Sequence, residues 1–363
     1  MNKKYENMVG YLLDWYDKGV RILPWRENPK PYYVWISEIM LQQTRVEAVK
    51  PFFDRFIKAL PEVRDLAEVE EDKLLKLWEG LGYYNRAKNL KKAAIMIMEE
   101  YNGTLPASYE HLLELPGIGS YTAGAIASIA YQIPVPAVDG NVLRVTKRIT
   151  NSYDDITKQK VKSELENELK DIMPGDRPGD FNQSLMELGA TVCLPNGKPL
   201  CDKCPVYSIC EAREQGSYMQ IPVKPAKKAR KIEEKTILLI EHENNIAIRK
   251  RDEKGLLSGL WEFPNFNQKL SLSEIEELLK NNNVELDEIE LLGEAKHFFS
   301  HIEWRMIGYK IKLDKRIDPD SLIKIESTEL LCDNNMQFNW VSRNKIDEEY
   351  SVPTAFKAYK EKM

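Results

Sequence analysis

Cysteine is scarce, with five in 363 residues, which excludes a disulfide-dense scaffold. No apolar run approaches the ~18 residues that a membrane-spanning helix needs. Low-complexity segments and internal repeats are also missing, so neither a biased tail nor a repeat array is expected. Neither sign of charge dominates: 52 Lys and Arg face 57 Asp and Glu, a net charge of −5. The two signs nearly balance through residue 230, so the acidic excess lies in 231–363. Charge therefore gives no argument for a nucleic acid, and none against one, because phosphate binding depends on a local basic face. The opening Met1-Asn2-Lys3-Lys4-Tyr5-Glu6 lacks the apolar core of an export signal, and a cytoplasmic location is expected. A content of 43% hydrophobic and 30% charged residues is that of a soluble globular chain. Its length points to two or three domains.

Four of the five cysteines stand together, at Cys193, Cys201, Cys204 and Cys210, in the spacing C-x7-C-x2-C-x5-C. The inner pair lets two thiolates reach one metal centre from a single turn, and the outer two close the coordination. Such a set suits zinc or an iron–sulfur cluster, and spacing alone does not choose between them. Disulfides are disfavoured in a reducing compartment. Cys332, beside Leu330 and Leu331, reads as a small buried hydrophobe.

The first 215 residues carry helical periodicity. Apolar positions recur at helical spacing over 34–56, around Leu74, Leu75 and Trp78, and over 85–101 and 120–131. Pro and Gly mark the turns between them. Residues 216–234, with Pro222, Pro225 and the basic run from Lys227 to Lys231, read as a linker. The pattern then changes to strands, from Lys235 and from Asn245, joined by a hairpin at His242-Glu243-Asn244. An amphipathic helix over 271–280 and a further strand over 301–313 complete an α+β domain.

Residues 108–115 predict a short helix, Leu115-Pro116-Gly117-Ile118-Gly119 a tight turn, and Ser120 the cap of a second helix. Gly117 and Gly119 permit backbone conformations that other residues resist and leave amides uncovered, a seat for phosphate. The alternative for the turn taken alone is an ordinary αα-connection. Asp139 follows an apolar, proline-restricted stretch and precedes a helix, which taken alone makes it an N-cap.

Together, hairpin, Asp139 and the cysteine loop resemble the endonuclease III superfamily of DNA glycosylases, and more closely its adenine-specific, A/G-mismatch branch. Leu23-Pro24-Trp25-Arg26, the run from Trp35 to Val46 and the run from Leu77 to Tyr84 are similar to that branch's signatures. So are 115–123, Asp139-Gly140-Asn141 and Phe299-Ser300-His301. The likeness spans the chain. One departure is the first cysteine gap, seven residues where the family usually has six.

The resemblance implies an all-α helix–hairpin–helix glycosylase with an iron–sulfur module, followed by an α+β Nudix-like domain. Its divisions are 1–28 with 135–215 for the cluster domain and 29–134 for the six-helix domain. Then come the linker 216–234 and the Nudix-like domain 235–363. It implies a [4Fe–4S] cluster on the four cysteines, with zinc as the alternative. The implied partner is double-stranded DNA carrying A:8-oxoguanine or A:G, met by a monomer without a membrane.

An N-glycosidic bond breaks through an oxocarbenium-like sugar, which two carboxylates in different protonation states serve well. The resemblance makes Glu38 the acid that protonates adenine at N7. Among Ile36, Ile39, Met40 and Leu41, on a helix through 34–56, its carboxyl is expected to have a raised pKa. Asp139 is expected to stay ionised and to stabilise the cation, with Asn141 orienting it. Lyase-competent relatives carry a lysine at the position of Tyr121; tyrosine has no amine for a Schiff base, so base removal without strand cleavage is expected.

The target base must leave the duplex. By resemblance Gln43 and Tyr83 enter the vacated stack, and Gln42, Thr44 and Leu81 are further substrate- or DNA-binding residues. Trp25, Arg26, Leu41 and Gln183 are the implied adenine pocket. In the C-terminal domain the metal-binding core of a Nudix hydrolase is absent from 271–280, so binding without hydrolysis is expected, with Phe299, Ser300 and His301 probing the lesion. The alternative is a pyrimidine-lesion glycosylase and lyase of the endonuclease III type, which Tyr121 and the C-terminal domain disfavour.

Overall fold

The computed structural model describes residues 3–226, 229–281, 284, 286–314 and 338–363. Cys332, and Lys227 and Lys228 of the basic run, lie outside the described residues. The chain divides into two compact units, one of residues 1–69 and 85–226, the other of 70–84 and 227–363.

The first unit is helical. It opens with α1 (Lys3–Asp17), α2 (Pro24–Glu27), α3 (Pro31–Leu41), α4 (Val46–Ala59) and α5 (Val63–Glu68). After α6 (Glu71–Trp78), which belongs to the second unit, come α7 (Asn85–Glu100), α8 (Tyr109–Glu114) and α9 (Ser120–Tyr131). The unit ends with α10 (Gly140–Ile149), α11 (Gln159–Ile172), α12 (Pro178–Thr191) and α13 (Glu211–Glu214). Met8 and Leu12 of α1, Val142 and Val145 of α10, Leu165 of α11, and Phe181 and Leu185 of α12 share one core.

The single helix expected over 34–56 is two helices, broken over Gln42–Arg45. Gln43 takes a left-handed φ of 58° there. Arg86 stabilises the break: its Nη1 donates to the carbonyls of Ile39 at 2.7 Å, Met40 at 3.0 Å and Gln42 at 2.8 Å. One guanidinium thus satisfies carbonyls that a helix C-terminus leaves without partners. Periodicity did not reveal the break because apolar residues continue in phase on both sides of it.

At the hairpin, Ser108 is the N-cap of α8, its side chain accepting from the His111 amide. The next helix is capped by Gly119, not Ser120, and without a side-chain bond. Gly119, at φ −99°, has a backbone that any residue adopts. Gly117 is the glycine the turn requires: its φ is +81°, and a Cβ there would come 2.7 Å from Cβ of Asn89.

Among the described residues, the second unit holds a seven-stranded mixed sheet. Its strands are β1 (Lys231–His242), β2 (Asn245–Lys250), β3 (Trp261–Glu262), β4 (Asn265–Phe266), β5 (Leu286–Phe298), β6 (Ile302–Leu313) and β7 (Asn339–Ser342). The order is β3-β2-β1-β6-β5, with β4 on β1 and β7 on β2. The β1–β6 pair is parallel, from Lys231 opposite Ile302 to Glu241 opposite Lys312. Residues 231–234, read as linker, are therefore strand. Apolar side chains cover both faces. Ile237 and Leu239 share one cluster with Phe356 and Tyr359, while Leu238 and Ile240 share another with Ile275 and Leu279 of α14 (Leu272–Asn281). Burial on two faces is why β1 reads as a continuous apolar run rather than an alternating one. α15 (Arg343–Glu348) and α16 (Lys357–Lys360) follow.

Candidate active site

One cavity in the first unit, about 630 Å³, gathers half of the site residues singled out in the sequence. Trp25 and Arg26 reach it from α2, Glu38 and Leu41 from α3, and Gln42, Gln43 and Thr44 from the break after α3. Tyr121 of α9, Asp139, Asn141 of α10 and Gln183 of α12 complete the wall.

Glu38 is 5% exposed, and Tyr121 Oη donates to its Oε2 at 2.6 Å. Burial, the largest cause, pushes its pKa up to about 7, and the nearby charge of Asp139 adds to the rise. The Tyr121 hydrogen bond and the Arg26 charge act against it. This carboxyl keeps its proton near neutrality, as an acid catalyst must.

Asp139 is the N-cap of α10 and also a wall of the cavity. Its Oδ1 accepts from the amides of Asn141 and Val142, each at 2.8 Å, and its Oδ2 accepts from Asn141 Nδ2 at 2.7 Å. The N-cap expected from sequence is thus also exposed to the cavity. Burial raises its pKa, while the bonds from Val142 and Asn141 and the charge of Arg144 hold it back. The two carboxyls occupy unlike settings, one paired with a phenol and one with three N–H donors.

Behind Asp139 stands a residue that sequence reasoning missed. Arg144, 5% exposed, donates from Nη2 to Asn141 Oδ1 at 2.9 Å and to the carbonyl of Gly189 at 2.8 Å. Its Nε donates to the carbonyl of Cys193 at 2.9 Å. The arrangement needs a close helix crossing: a Cβ on Gly189 would lie 2.6 Å from Cβ of Asn141. Arg21 and Glu187 were also missed. Glu187 accepts from Arg21 at 2.6 and 2.9 Å and from Arg26 at 2.9 Å, which locks the guanidinium of Arg26 in the cavity wall. No local pattern announces ion pairs whose members stand more than a hundred residues apart in sequence.

The four cysteines line a second, smaller cavity, walled by Val145, Leu188, Val192 and Val206. Arg148 reaches in, with Nη1 3.2 Å from Cys193 Sγ and 2.9 Å from the carbonyl of Leu194. Among the described residues, no group of three or more His, Cys, Asp or Glu is disposed to hold a single metal ion. Apolar walls, four thiols and a buried cation beside one of them fit a sulfur-rich anionic group.

The other singled-out residues do not line the first cavity. Gly117 and Gly119 belong to the hairpin. Leu81, Tyr83, Phe299, Ser300 and His301 belong to the second unit. Tyr83 is half exposed at a φ of +49°. Phe299–His301 is the turn between β5 and β6, closed by the Phe299 amide donating to the Ile302 carbonyl at 2.8 Å. Ser300 and His301 are exposed, while Phe299 packs edge-on against Trp304.

The family model of the HhH-GPD superfamily base excision DNA repair protein matches residues 36–171, and that of the NUDIX domain matches 236–362. The adenine DNA glycosylase of Buchnera aphidicola subsp. Acyrthosiphon pisum (strain APS) is 38% identical over 293 residues, covering 80% of this chain and 83% of its own. The adenine DNA glycosylase of Mus musculus is 35% identical, over 84% of this chain and 70% of its own. The chain belongs to the adenine DNA glycosylase family. The Homo sapiens member of that family is 34% identical over 84% of this chain and 67% of its own. Solved structures agree on the helical part. A thermostable thymine-DNA glycosylase superposes with a TM-score of 0.53 at 29% identity, over 59% of this chain and 98% of its own. A non-covalent endonuclease III–DNA complex gives 0.50 at 25% identity, over 58% and 97%. Family membership and the helix–hairpin–helix and Nudix-like domain classes thus agree with the expectation from sequence. Among the described residues, no helix is long and apolar enough to cross a membrane.

Proposed function

We propose that this chain excises adenine mispaired with 8-oxoguanine or guanine in duplex DNA, with Glu38 as general acid and Asp139 as stabiliser of the sugar cation. The observation that carries this reading is the pair of unlike carboxyls on one cavity, Glu38 buried against Tyr121 and Asp139 held by three N–H donors. Glu38 gives its proton to N7 of the flipped adenine, and the electron pair of the breaking C1′–N9 bond leaves with the base. Asp139 stabilises the resulting cation and directs water to C1′, accepting a proton as the new C–O bond forms. Asn141, held by Arg144, keeps the Asp139 carboxylate aimed. Trp25, Arg26, Leu41 and Gln183 contact the base. Gln42, Gln43, Thr44, Leu81, Tyr83 and the Gly117–Gly119 turn engage the duplex. Phe299, Ser300 and His301 inspect the opposite base. Domain limits of 1–28 with 135–215, 29–134 and 235–363 accompany this reading, apart from residues 70–84, which pack in the sheet unit, and the strand residues 231–234.

The test is a panel of duplexes carrying A opposite 8-oxoguanine, A opposite G, and thymine glycol. Adenine release from the first two, an intact strand until alkali is added, and negligible borohydride trapping are expected, because Tyr121 offers no amine. Efficient trapping, or action on thymine glycol, overturns the reading.

Cys193, Cys201, Cys204 and Cys210 would hold a [4Fe–4S] cluster. When bound, such a group ties four chain positions together through one thiolate at each iron. Thiols spread round a cavity suit four separate irons better than one zinc ion, which draws its ligands to a single point. Purified protein is expected to be brown, with about four irons per chain. Colourless protein carrying stoichiometric zinc contradicts this.

A further inference from the structure

Residues 70–84 leave the helical part of the chain after Val69 and return to it at Asn85, yet they pack with the C-terminal sheet in one compact unit. Their fastening is specific. The Leu75 carbonyl, in the last turn of α6, accepts from Ser351 Oγ at 3.2 Å. Ser351 is 1% exposed and offers its own carbonyl to the Trp261 amide of β3 at 3.1 Å. Lys76 Nζ donates to the Tyr350 carbonyl at 3.0 Å, and Lys360 Nζ lies 3.6 Å from Glu79. Inside the loop, Trp78 Nε1 donates to the Gly82 carbonyl at 3.1 Å, and the Leu81 amide to the Trp78 carbonyl at 3.1 Å.

The loop so braced presents Tyr83 in a left-handed backbone, φ +49°, after Gly82 at +69°. A non-glycine residue holds that conformation only when its surroundings impose it. The same unit carries the Phe299–His301 turn, and packed rings connect the two. Phe299 lies 4.8 Å from Trp304, and Trp304 lies 5.9 Å from Phe356. Phe356 shares a cluster with Trp261 and Val352, and Trp261 meets Tyr350 at 4.8 Å.

We infer that Ser351 is a positioning residue: with Lys76 it clasps the Tyr83 loop to the sheet that bears Ser300, so that stack insertion and inspection of the opposite base are made by one rigid body. The inference rests on the roles proposed above for Tyr83 and Ser300. Its consequence is that contact with 8-oxoguanine at Ser300 sets where Tyr83 enters the stack. N7 of guanine is a hydrogen-bond acceptor, and in 8-oxoguanine that nitrogen carries a proton, so a Ser300 oxygen held as an acceptor there meets a donor in the lesion and only another acceptor in guanine. Loss of the clasp therefore affects A:8-oxoguanine more than A:G.

The experiment measures single-turnover adenine release from both duplexes with full-length, iron-loaded protein. Ser351→Ala, Lys76→Met, Ser300→Ala and Tyr83→Ala are compared, together with Ser351→Ala in the Tyr83→Ala background. Ser351 is buried and has no surface to offer DNA. Even so, its variant is expected to narrow the preference for A:8-oxoguanine by roughly 3- to 30-fold with the A:G rate nearly kept. Lys76→Met narrows it in the same direction, and Ser351→Ala adds nothing once Tyr83 is gone, as for residues acting through one another. Equal slowing of both duplexes, no change in either, or full additivity with Tyr83→Ala overturns the clasp, provided Ser300→Ala and Tyr83→Ala do change the preference. If those two change nothing, the proposed roles fall instead. If Ser351→Ala does not fold, Lys76→Met decides by the same criteria.

Discussion

Glu38→Gln is expected to slow single-turnover adenine release by about 100-fold or more, the usual contribution of a positioned general acid. Glutamine has the same shape, and its amide oxygen still accepts from Tyr121 Oη, which now donates to Glu38 Oε2 at 2.6 Å. The cavity and its hydrogen bond are therefore kept, while the acidic proton is lost. Affinity for an uncleavable A:8-oxoguanine duplex is expected to change little, since most such contacts are to phosphate and sugar. A variant that retains more than about a tenth of the wild-type rate would remove Glu38 from its role.

Asp139→Asn is the second large effect, a loss of about 100-fold or more, as expected when a group aimed at developing charge is neutralised. The new side chain keeps one oxygen for the amides of Asn141 and Val142, so α10 keeps its cap. Its NH2 group, however, would face Asn141 Nδ2, and Asn141 cannot turn to offer its oxygen without breaking the bond from Arg144. Asp139→Ala should lose both functions, adding about 1 kcal/mol of destabilisation for the missing cap. Rate measurements paired with thermal melting separate the two. If Asn and Ala lower rate and melting temperature in parallel, Asp139 is only a cap.

What the sequence disclosed and what it withheld follow from the range of the forces involved. Asp139 with Asn141, Ser108 before α8 and the cysteine spacing are local, since their partners lie within a few residues and the pattern itself carries the geometry. Fold class and domain order were legible for the same reason, because period 3.6 gives way to strand patterning after the linker. The break after α3 was hidden because its cause, Arg86, lies more than forty residues downstream. Arg21 and Glu187 meet only in the folded chain, as do Arg144 and the Cys193 carbonyl. Strand β5 went unread because Asp287, Glu288, Glu290, Glu294 and Lys296 interrupt the apolar pattern on its exposed side, while two register shifts against β6 displace the alternation. The segment 70–84 joins the sheet unit through Ser351 and Tyr350, residues no spacing rule connects to it.

The most direct test of the central claim is the pH dependence of single-turnover adenine release by the wild-type enzyme. Glu38 is raised to about 7 and acts as the protonated form, so its contribution is present below that pH and lost above it. Asp139 acts ionised, so its contribution is lost as pH falls, and burial moves that loss upward in pH. The account predicts a rate that falls about tenfold per unit from neutrality toward pH ~9, with the DNA remaining bound. A rate that stays level or rises across that interval would contradict it.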